Sequence, residues 1–355
     1  MHPFLYDKKL DLVDFEDLKL LMFRDDVLYD IAVAPERKRR DLREHFLSVA
    51  RNGYPKSVVS PANLDRVSAP RLGLFLFLYH LWQQGLEFTV LDIGAHIGDF
   101  SLKVANFART CQRPLTVIAF DPTPAGALLA YNIQLNGLQD YVRHEDLAVS
   151  DVNGLIKFQA AKGYSDSPSA VLARAPQESV GARFARFLKS KHKRNYLYDW
   201  MANFKGREVY EFIAPSVVIS DYLDRRGIQG HLVVKIDIEG LDQVVIADLL
   251  PRAERNLVSI ITEFTPGNFA SLAAAASTLQ EWCRSYVIYD IFYSPNPTRF
   301  DRVQPEAALR FARQIQEDRR YAYTDLLLVP KAVPALEGLL QRLDALERAP
   351  DAYVL

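Results

Sequence analysis

The segment "VLDIGAHIGDF" at residues 90–100 joins an apolar run, an acid and two glycines in a pattern suited to binding a small charged molecule. Glycine permits sharp backbone turns and the close approach of a ligand. A helix is predicted to begin at Asp99, and its N–H groups and dipole favour a negative group such as a carboxylate or a phosphate. His96 is interpreted as a loop neighbour of the ligand rather than as a catalyst. The residues predicted to surround the ligand here are Asp92, Gly94, Ala95, His96 and Gly98.

The acids in and after this segment indicate which ligand is bound. Dinucleotides require G-x-G-x-x-G, a spacing that this turn does not meet. Asp92 would repel a pyrophosphate but could hold the ammonium of an amino acid. After the next two predicted strands, Asp121 is placed to accept hydrogen bonds from ribose hydroxyls, and Asp146 from the exocyclic amine of adenine. Taken singly, Asp92 or Asp121 is explained equally well as a helix cap or a loop acid. Together they predict S-adenosylmethionine, with Pro122 as a further contact.

Short apolar runs rich in Val, Ile and Phe predict the strands that position these residues. Near-continuous apolarity indicates strands buried on both faces of a parallel sheet. The alternation of such runs with helical patterns predicts an α/β fold with a mostly parallel, doubly wound, Rossmann-like sheet. The predicted strands are 88–93, 115–120, 231–237, 258–264, 289–293 and 324–330, with helices over 99–110 and 124–136.

Three regions are predicted to lie beside the main sheet domain, which covers residues 68–331. Residues 1–67 read as a helical N-terminal extension. An insertion at about 160–212 is locally basic and rich in aromatic residues, which is typical of a lid over an anionic substrate or, alternatively, of a solvated helix face. Residues 332–355 carry a leucine stripe, which indicates a helix that docks on the domain or pairs two subunits of a homo-oligomer.

Composition excludes several classes of protein. The chain has 355 residues, is 49% hydrophobic and 25% charged, and has a net charge of −1, so nucleic acid is not an expected partner. The two cysteines lack metal-ligand spacing and favour free thiols, with a single disulfide as the alternative. The apolar run at 72–82 is too short to span a bilayer and predicts a buried helix. With no secretion signal at the N-terminus, a cytoplasmic protein is expected.

The ordered segments resemble the FkbM family of S-adenosylmethionine-dependent methyltransferases, which has the class I methyltransferase fold. The resemblance runs from residue 88 to 331, and it is interrupted by the insertion. It is carried by "VLDIGAHIGDFSL", "VIAFDPTPAGALLAYNIQLNGL", "DLAVSD", "VVKIDIEGLD" and "IITEFTP". Asp121 and Asp242 stand where relatives commonly have Glu. The resemblance implies O-methylation of a hydroxyl on a sugar, glycan or secondary-metabolite acceptor.

Transfer of a methyl group to a hydroxyl requires a base for the acceptor proton. In this fold the fourth strand ends beside the methyl group, and "KIDIEG" at residues 235–240 lies there. Asp237 is the first candidate for the base and Glu239 the second, although either could instead cap the following helix. Lys235 is the third, to support a forming alkoxide, or else it forms an ion pair with Asp237 or Glu263.

Alternatives to metal-free O-methylation are also open. Asp237 and Glu263 could share a Mg²⁺, but no compact ligand motif supports a metal. A nicotinamide-dependent or nucleotide-sugar enzyme is disfavoured by the glycine spacing and by Asp92. A scaffold protein with a degenerate methyltransferase fold, and a methyltransferase acting on nucleic acid, are the remaining alternatives.

Overall fold

The structure is a computed structural model, and it describes residues 10–15, 18–23, 77–78, 81–82, 84–161, 169–170, 209–238, 240–256, 258–291, 301–318 and 323–331. The strands are β1 (Leu10–Phe15), β2 (Leu18–Phe23), β3 (Phe88–Ile93), β4 (Thr116–Phe120), β5 (Val142–Glu145), β6 (Ala148–Val149), β7 (Gly154–Ala161), β8 (Ser169–Ala170), β9 (Val209–Val217), β10 (His231–Ile236), β11 (Val258–Phe264), β12 (Tyr286–Asp290), β13 (Asp301–Arg302) and β14 (Thr324–Pro330). The helices are α1 (Asp99–Thr110), α2 (Pro124–Leu135), α3 (Ile219–Arg226), α4 (Asp242–Asn256), α5 (Leu272–Ser285) and α6 (Ala308–Asp318).

The central sheet has the strand order β13-β12-β14-β11-β10-β3-β4-β5. The five strands from β11 to β5 are parallel, and β14, β12 and β13 extend the sheet antiparallel. Helical crossovers connect β3 to β4, β4 to β5 and β10 to β11. The predicted mostly parallel, doubly wound sheet is therefore confirmed. Because parallel strands end at one edge, the loops after β3, β4, β5 and β10 lie side by side.

Both faces of the sheet are buried, as continuous apolar strands require. Side chains alternate between the faces, so that Val90 of β3 belongs to one core and Leu91 to the other. The first core is closed by α1, α2 and β2, and the second by α3, α4, α5 and α6. Phe77, Leu78, Leu81 and Trp82 are helical and buried, which confirms the predicted buried helix at these four residues.

A second sheet, of order β6-β9-β7-β8, connects β5 to α3. The insertion predicted to begin at residue 160 starts later, because β7 runs to Ala161 and β9 already begins at Val209. Strand β7 pairs antiparallel with β9 along its whole length. Phe158 and Phe212 stack at 5.1 Å between ring centroids and pack with Leu241, in the loop after β10. Residues 162–168 and 171–208, and with them the predicted lid, lie outside the described residues.

The prediction of a helical N-terminal extension is wrong for the part that is described. Residues 10–23 form an antiparallel hairpin, with Leu10 opposite Phe23 and Phe15 opposite Leu18. Leu18, Leu20 and Met22 alternate along β2 and are buried in the first core, and this period of two is the pattern of a strand. The remainder of this extension and the predicted C-terminal helix lie outside the described residues.

Two smaller expectations are also settled. Strand β12 begins at Tyr286, three residues before the predicted start, because Tyr286 and Val287 pair with Pro330 and Val329 of β14. Cys111 and Cys283 are both free thiols, so the disulfide alternative is wrong. Within the described part of the chain, no helix is long and apolar enough to cross a membrane.

Candidate active site at the carboxyl edge of the sheet

The turn between β3 and α1 is fixed by contacts with the neighbouring strand. Gly94, His96 and Gly98 have φ values of 81°, 52° and 91°, a left-handed conformation that glycine adopts without strain. The N–H groups of Gly94 and Ala95 both donate to the Phe120 carbonyl at 3.0 Å. The turn therefore folds back over the end of β4, where Asp121 begins the next loop.

Both glycines of the turn also lie against other parts of the chain. A Cβ added to Gly94 would lie 1.9 Å from the Asp237 carbonyl oxygen, and one added to Gly98 would lie 2.3 Å from Leu129 Cδ1. The sequence suggested that these glycines make room for a ligand. In the structure the Asp237 carbonyl occupies the space that a side chain at Gly94 would need, so the close packing of these two loops requires Gly94, whereas Gly98 lies against a side chain of helix α2.

Asp92, at the end of β3, is completely buried. Its Oδ2 accepts a hydrogen bond from Ser101 Oγ at 2.6 Å, and its Oδ1 lies 3.5 Å from Lys235 Nζ. Burial raises the pKa of Asp92, while the Lys235 ammonium and the Ser101 hydrogen bond act to lower it. Asp92 thus joins the start of α1 to strand β10.

Lys235 connects three parts of the site, and its side chain is 16% exposed. Its ammonium donates to the Gly94 carbonyl at 3.0 Å and pairs with Asp237 Oδ2 at 3.2 Å in addition to Asp92. Burial acts to lower the pKa of Lys235, but the carboxylates around it, that of Asp237 most strongly, outweigh burial and raise that pKa above its ordinary value. The ion pair with Asp237 that the sequence allowed is present, and the ammonium has chain acceptors in the Gly94 carbonyl and the Asp237 carboxylate.

Asp237 follows β10 and has a half-exposed side chain. Its N–H donates to the Ile93 carbonyl at 3.0 Å, which joins the ends of β10 and β3. Glu239, the second catalytic candidate, lies outside the described residues. Asp242, at the start of α4, is buried and accepts a hydrogen bond from the Gly240 N–H at 3.2 Å. Burial, and then the charge of Asp237, raises the pKa of Asp242.

Asp121 organises the loop after β4. Its Oδ2 accepts from the His96 N–H at 2.6 Å, and its Oδ1 accepts from the Thr123 N–H at 2.8 Å and from the Thr123 hydroxyl. Thr123 in turn caps α2 by accepting from the Ala125 N–H. A carboxylate offers about four lone-pair sites, so Asp121 retains room for about one further donor. Pro122 is partly exposed beside it.

Comparison with known proteins decides the family. The chain matches the family model of the Methyltransferase FkbM domain over residues 92–284, which is more than half of its 355 residues. The chain belongs to the FkbM methyltransferase family. The matched FkbM region runs from the end of β3 through β11 and nearly all of α5, and it includes every site residue described above. The predicted class I methyltransferase fold is thereby confirmed together with the order of the central sheet.

Two solved structures are distantly similar to this chain. The FkbM methyltransferase of Methylobacillus flagellatus KT has 11% identity and a TM-score of 0.35, over 82% of this chain and 60% of that chain. An O-methyltransferase of Bacillus cereus, in complex with SAH, has 11% identity and a TM-score of 0.31, over 85% of this chain and 94% of that chain. The chain spans less than two thirds of the length of the Methylobacillus protein. No curated protein matches its sequence.

The remaining candidate residue, Asp146, lies at the same edge of the sheet. Asp146 directly follows β5 and is exposed. Its neighbour Glu145, which sequence reasoning did not single out, is buried and has a structural role. The Tyr222 hydroxyl donates to Glu145 Oε1 at 2.8 Å, and Arg143 Nε lies 2.6 Å from the same oxygen. Burial and this hydrogen bond raise the pKa of Tyr222 to about 12.

The suggested Mg²⁺ site of Asp237 and Glu263 is not supported. Glu263 Oε1 accepts from the Thr265 hydroxyl at 2.6 Å, in the loop after β11. Among the residues that the structure describes, no three His, Cys, Asp or Glu side chains come together as a metal site. Sequence analysis did not single out the supporting residues Ser101 and Asn132. Ser101 and Asn132 are polar residues on the buried sides of predicted helices, which is the signal that could have found them.

Proposed function

We propose that this FkbM chain is an S-adenosylmethionine-dependent O-methyltransferase that acts on a hydroxyl of a sugar, a glycan or a secondary-metabolite acceptor. The observation that carries the proposal is a half-exposed carboxylate, Asp237, held against the glycine turn by Lys235 and by the Gly94 contact. Methyl transfer to a hydroxyl acceptor requires a base at this position, whereas a protein that only binds the cofactor does not require one.

The residues of the turn fit the charged parts of this methyl donor. Gly98, at the N-cap of α1, has no side chain to cap the helix, so the first turn of α1 favours an anionic group such as a carboxylate. Asp121 keeps acceptor capacity for one ribose hydroxyl, and exposed Asp146 is proposed to accept from the adenine amine. When bound, S-adenosylmethionine supplies a methyl group on a sulfonium, which is transferred in line to a nucleophilic oxygen.

We assign separate roles to Asp237, Lys235 and Asp92. Asp237 is proposed to orient the acceptor hydroxyl and to take its proton. Lys235 stays charged and holds Asp237 in place, because its ammonium already has chain acceptors and its pKa is raised. Asp92, predicted from the sequence to hold the cofactor's ammonium, is enclosed by Ser101 and Lys235. We therefore propose that Asp92 supports the turn instead.

The proposal is tested by separating binding from turnover in one variant. Asp237→Asn keeps the size of the side chain but cannot accept a proton. We expect calorimetry to show unchanged affinity for S-adenosylmethionine, and turnover to fall by about 10²-fold or more. Turnover is measured as S-adenosylhomocysteine formation with a panel of sugars, uronic acids, nucleotide sugars and macrolides. Asp140→Asn is the matched control, since Asp140 is exposed and precedes β5 at the opposite edge of the sheet.

Each alternative gives a different result. Tight binding of the methyl donor without product from any acceptor would support a scaffold, and product formed only with RNA or DNA would support a nucleic-acid methyltransferase. Binding of NAD⁺ but not of S-adenosylmethionine would rule out the proposal. Normal turnover by the Asp237→Asn variant would show that the base is a different residue.

A further inference from the structure

Strand β2 of the N-terminal hairpin has one edge that no other strand among the described residues covers. Strand β1 pairs with the other edge, in the register Val13 opposite Leu20 and Asp14 opposite Lys19. Along a strand, the backbone groups of alternate residues point to alternate edges. The N–H and C=O groups of exposed Lys19 and of partly buried Leu21 therefore face away from β1, where they are available to other partners.

Two asparagines of the α2 region supply those partners. Asn132 Oδ1 accepts from the Leu21 N–H at 2.7 Å, and Asn132 Nδ2 donates to the Leu21 carbonyl at 3.3 Å. Asn136, the C-cap residue of α2, repeats this arrangement on Lys19, with distances of 2.9 Å and 2.8 Å. Each side-chain amide thus takes the place that a neighbouring strand's peptide group would occupy.

The spacing of the two asparagines matches the spacing of the strand. Residues four apart on a helix are separated by about 6 Å along its axis and lie on one face. Residues two apart on a strand are separated by about 6.7 Å and present the same edge. The pair at positions 132 and 136 can therefore bind the backbone of residues 19 and 21 at the same time.

Asn132 differs from Asn136 in one further contact. Its Nδ2 also donates to the Ile97 carbonyl at 3.0 Å, and Ile97 lies inside the glycine turn between Gly94 and Gly98. The side chain of Asn132 is completely buried, so water does not compete for these bonds. Asn136 instead donates its second bond to the Asn132 carbonyl, within its own helix.

We propose that the N-terminal hairpin positions the cofactor turn, and that Asn132 is the positioning residue that connects them. The hairpin lies outside the region that matches the family, residues 92–284, so the family match does not account for this role. Docking of Leu21 fixes both polar atoms of the Asn132 amide, and the fixed amide holds the Ile97 carbonyl. The inference rests on the proposed function only in naming the ligand of the turn.

The matched pair Asn132→Ala and Asn136→Ala in the full chain tests this role. Each variant removes two hydrogen bonds to β2, but only Asn132→Ala removes the bond to the turn. We expect calorimetry to show a Kd for S-adenosylhomocysteine that is raised about tenfold in Asn132→Ala, or about 1.4 kcal/mol, and unchanged in Asn136→Ala. A merely structural role would lower the binding stoichiometry of both variants and leave both Kd values unchanged, and this result would overturn the inference.

A second measurement does not depend on any ligand. Hydrogen exchange of the amides of residues 94–98 should accelerate in Asn132→Ala and not in Asn136→Ala. On the hairpin, Leu21→Pro removes the N–H group that donates to Asn132 Oδ1, and it should accelerate hydrogen exchange at residues 94–98. Lys19→Pro should leave that exchange unchanged. Equal exchange in both proline variants would refute the contribution of the hairpin. If the wild-type chain bound no cofactor while this exchange pattern held, the proposed function would fail and the positioning role would stand.

Discussion

At the scale of single residues, the candidate site depends on charges that neutralise each other. Lys235 lies opposite Asp92 in the register of β10 and β3, two residues before Asp237. Its ammonium is therefore shared by one carboxylate that is completely buried and one that is half-exposed. A buried carboxylate is strongly destabilised when its counter-charge is removed, whereas an exposed pair contributes little.

The change Lys235→Met should therefore lower the free energy of unfolding by about 3 kcal/mol near neutral pH, because Asp92 is left without a nearby cation. Lys157→Met is the control, since Lys157 and Glu211 form a pair in which both side chains are about half exposed. It should cost at most about 1 kcal/mol. Urea denaturation of both variants measures the difference, and equal losses would contradict the described network.

The same variant should show a characteristic pH dependence. Loss of the ammonium removes an influence that lowers the pKa of Asp92, so that pKa rises further above its ordinary value of 3.8. An acid with a raised folded-state pKa stabilises the protein below its unfolded-state pKa and loses that contribution as pH rises through the folded-state value. The loss in free energy of unfolding caused by Lys235→Met should therefore be smallest in acid and grow as pH increases from about 4. A deficit independent of pH would argue against ionisation of Asp92 as the cause.

At the scale of elements, the turn after β3 is shaped by its neighbours on both sides. Hydrogen bonds join the end of β3 and the turn to Phe120 at the end of β4, to Lys235 of β10 and Asp237 directly after that strand, and to Asn132 of α2. The position of Gly94 against the Asp237 carbonyl leaves no space for a larger residue. Closure of this edge of the sheet therefore depends on a residue without a side chain.

The change Gly94→Ala should be more destabilising than the same change at a glycine of similar conformation. Gly85 has a φ of 73° and no atom within 4 Å of an added Cβ, so Gly85→Ala should cost about 1–2 kcal/mol for backbone strain alone. Gly94→Ala adds a contact of 1.9 Å with main-chain oxygen and should cost more than about 3 kcal/mol. Chemical denaturation compares them, and similar losses would mean that the two loops do not pack as described.

At the scale of the whole molecule, two apolar cores enclose the sheet, and most polar groups inside them have partners. The Tyr222 hydroxyl in the second core is hydrogen-bonded to Glu145. The Tyr286 hydroxyl in the same core is completely buried and has no hydrogen-bond partner in the described part of the chain. An unsatisfied buried hydroxyl destabilises the folded state, whereas a satisfied one contributes modestly to stability.

Replacement of each tyrosine by phenylalanine should consequently affect the free energy of unfolding differently. Tyr286→Phe removes only an unsatisfied group and should leave the free energy of unfolding unchanged or raise it by up to about 1 kcal/mol. Tyr222→Phe should lower it by about 1–2 kcal/mol, because Glu145 loses a buried donor. Thermal denaturation monitored by circular dichroism distinguishes them, and a clear loss in Tyr286→Phe would reveal a hydroxyl partner that the structure does not show.

Local patterns were sufficient to predict much of the fold. The strands at 88–93, 258–264 and 324–330 and the helix at 99–110 begin and end where predicted, because the apolar pattern that defines them acts within a few residues. The hairpin at residues 10–23 was not predicted, because a short-range pattern does not identify it. Its alternation is short and partly apolar on both faces, and its burial depends on α2, which is more than a hundred residues away in sequence.

By itself the sequence determined the residue types of the site and the strand ends that carry them: the glycines, Asp92, Asp121, Asp146 and Asp237. The tertiary structure decided which of them meet. It placed β10 beside β3, so that Lys235 pairs with Asp92 and Asp237. It also showed that Gly94 is required by a neighbouring carbonyl, and that Asn132 joins a distant hairpin to the turn. Hydrogen bonds, ion pairs and steric contacts act over a few ångströms in space, and sequence distance carries no record of which residues folding brings that close.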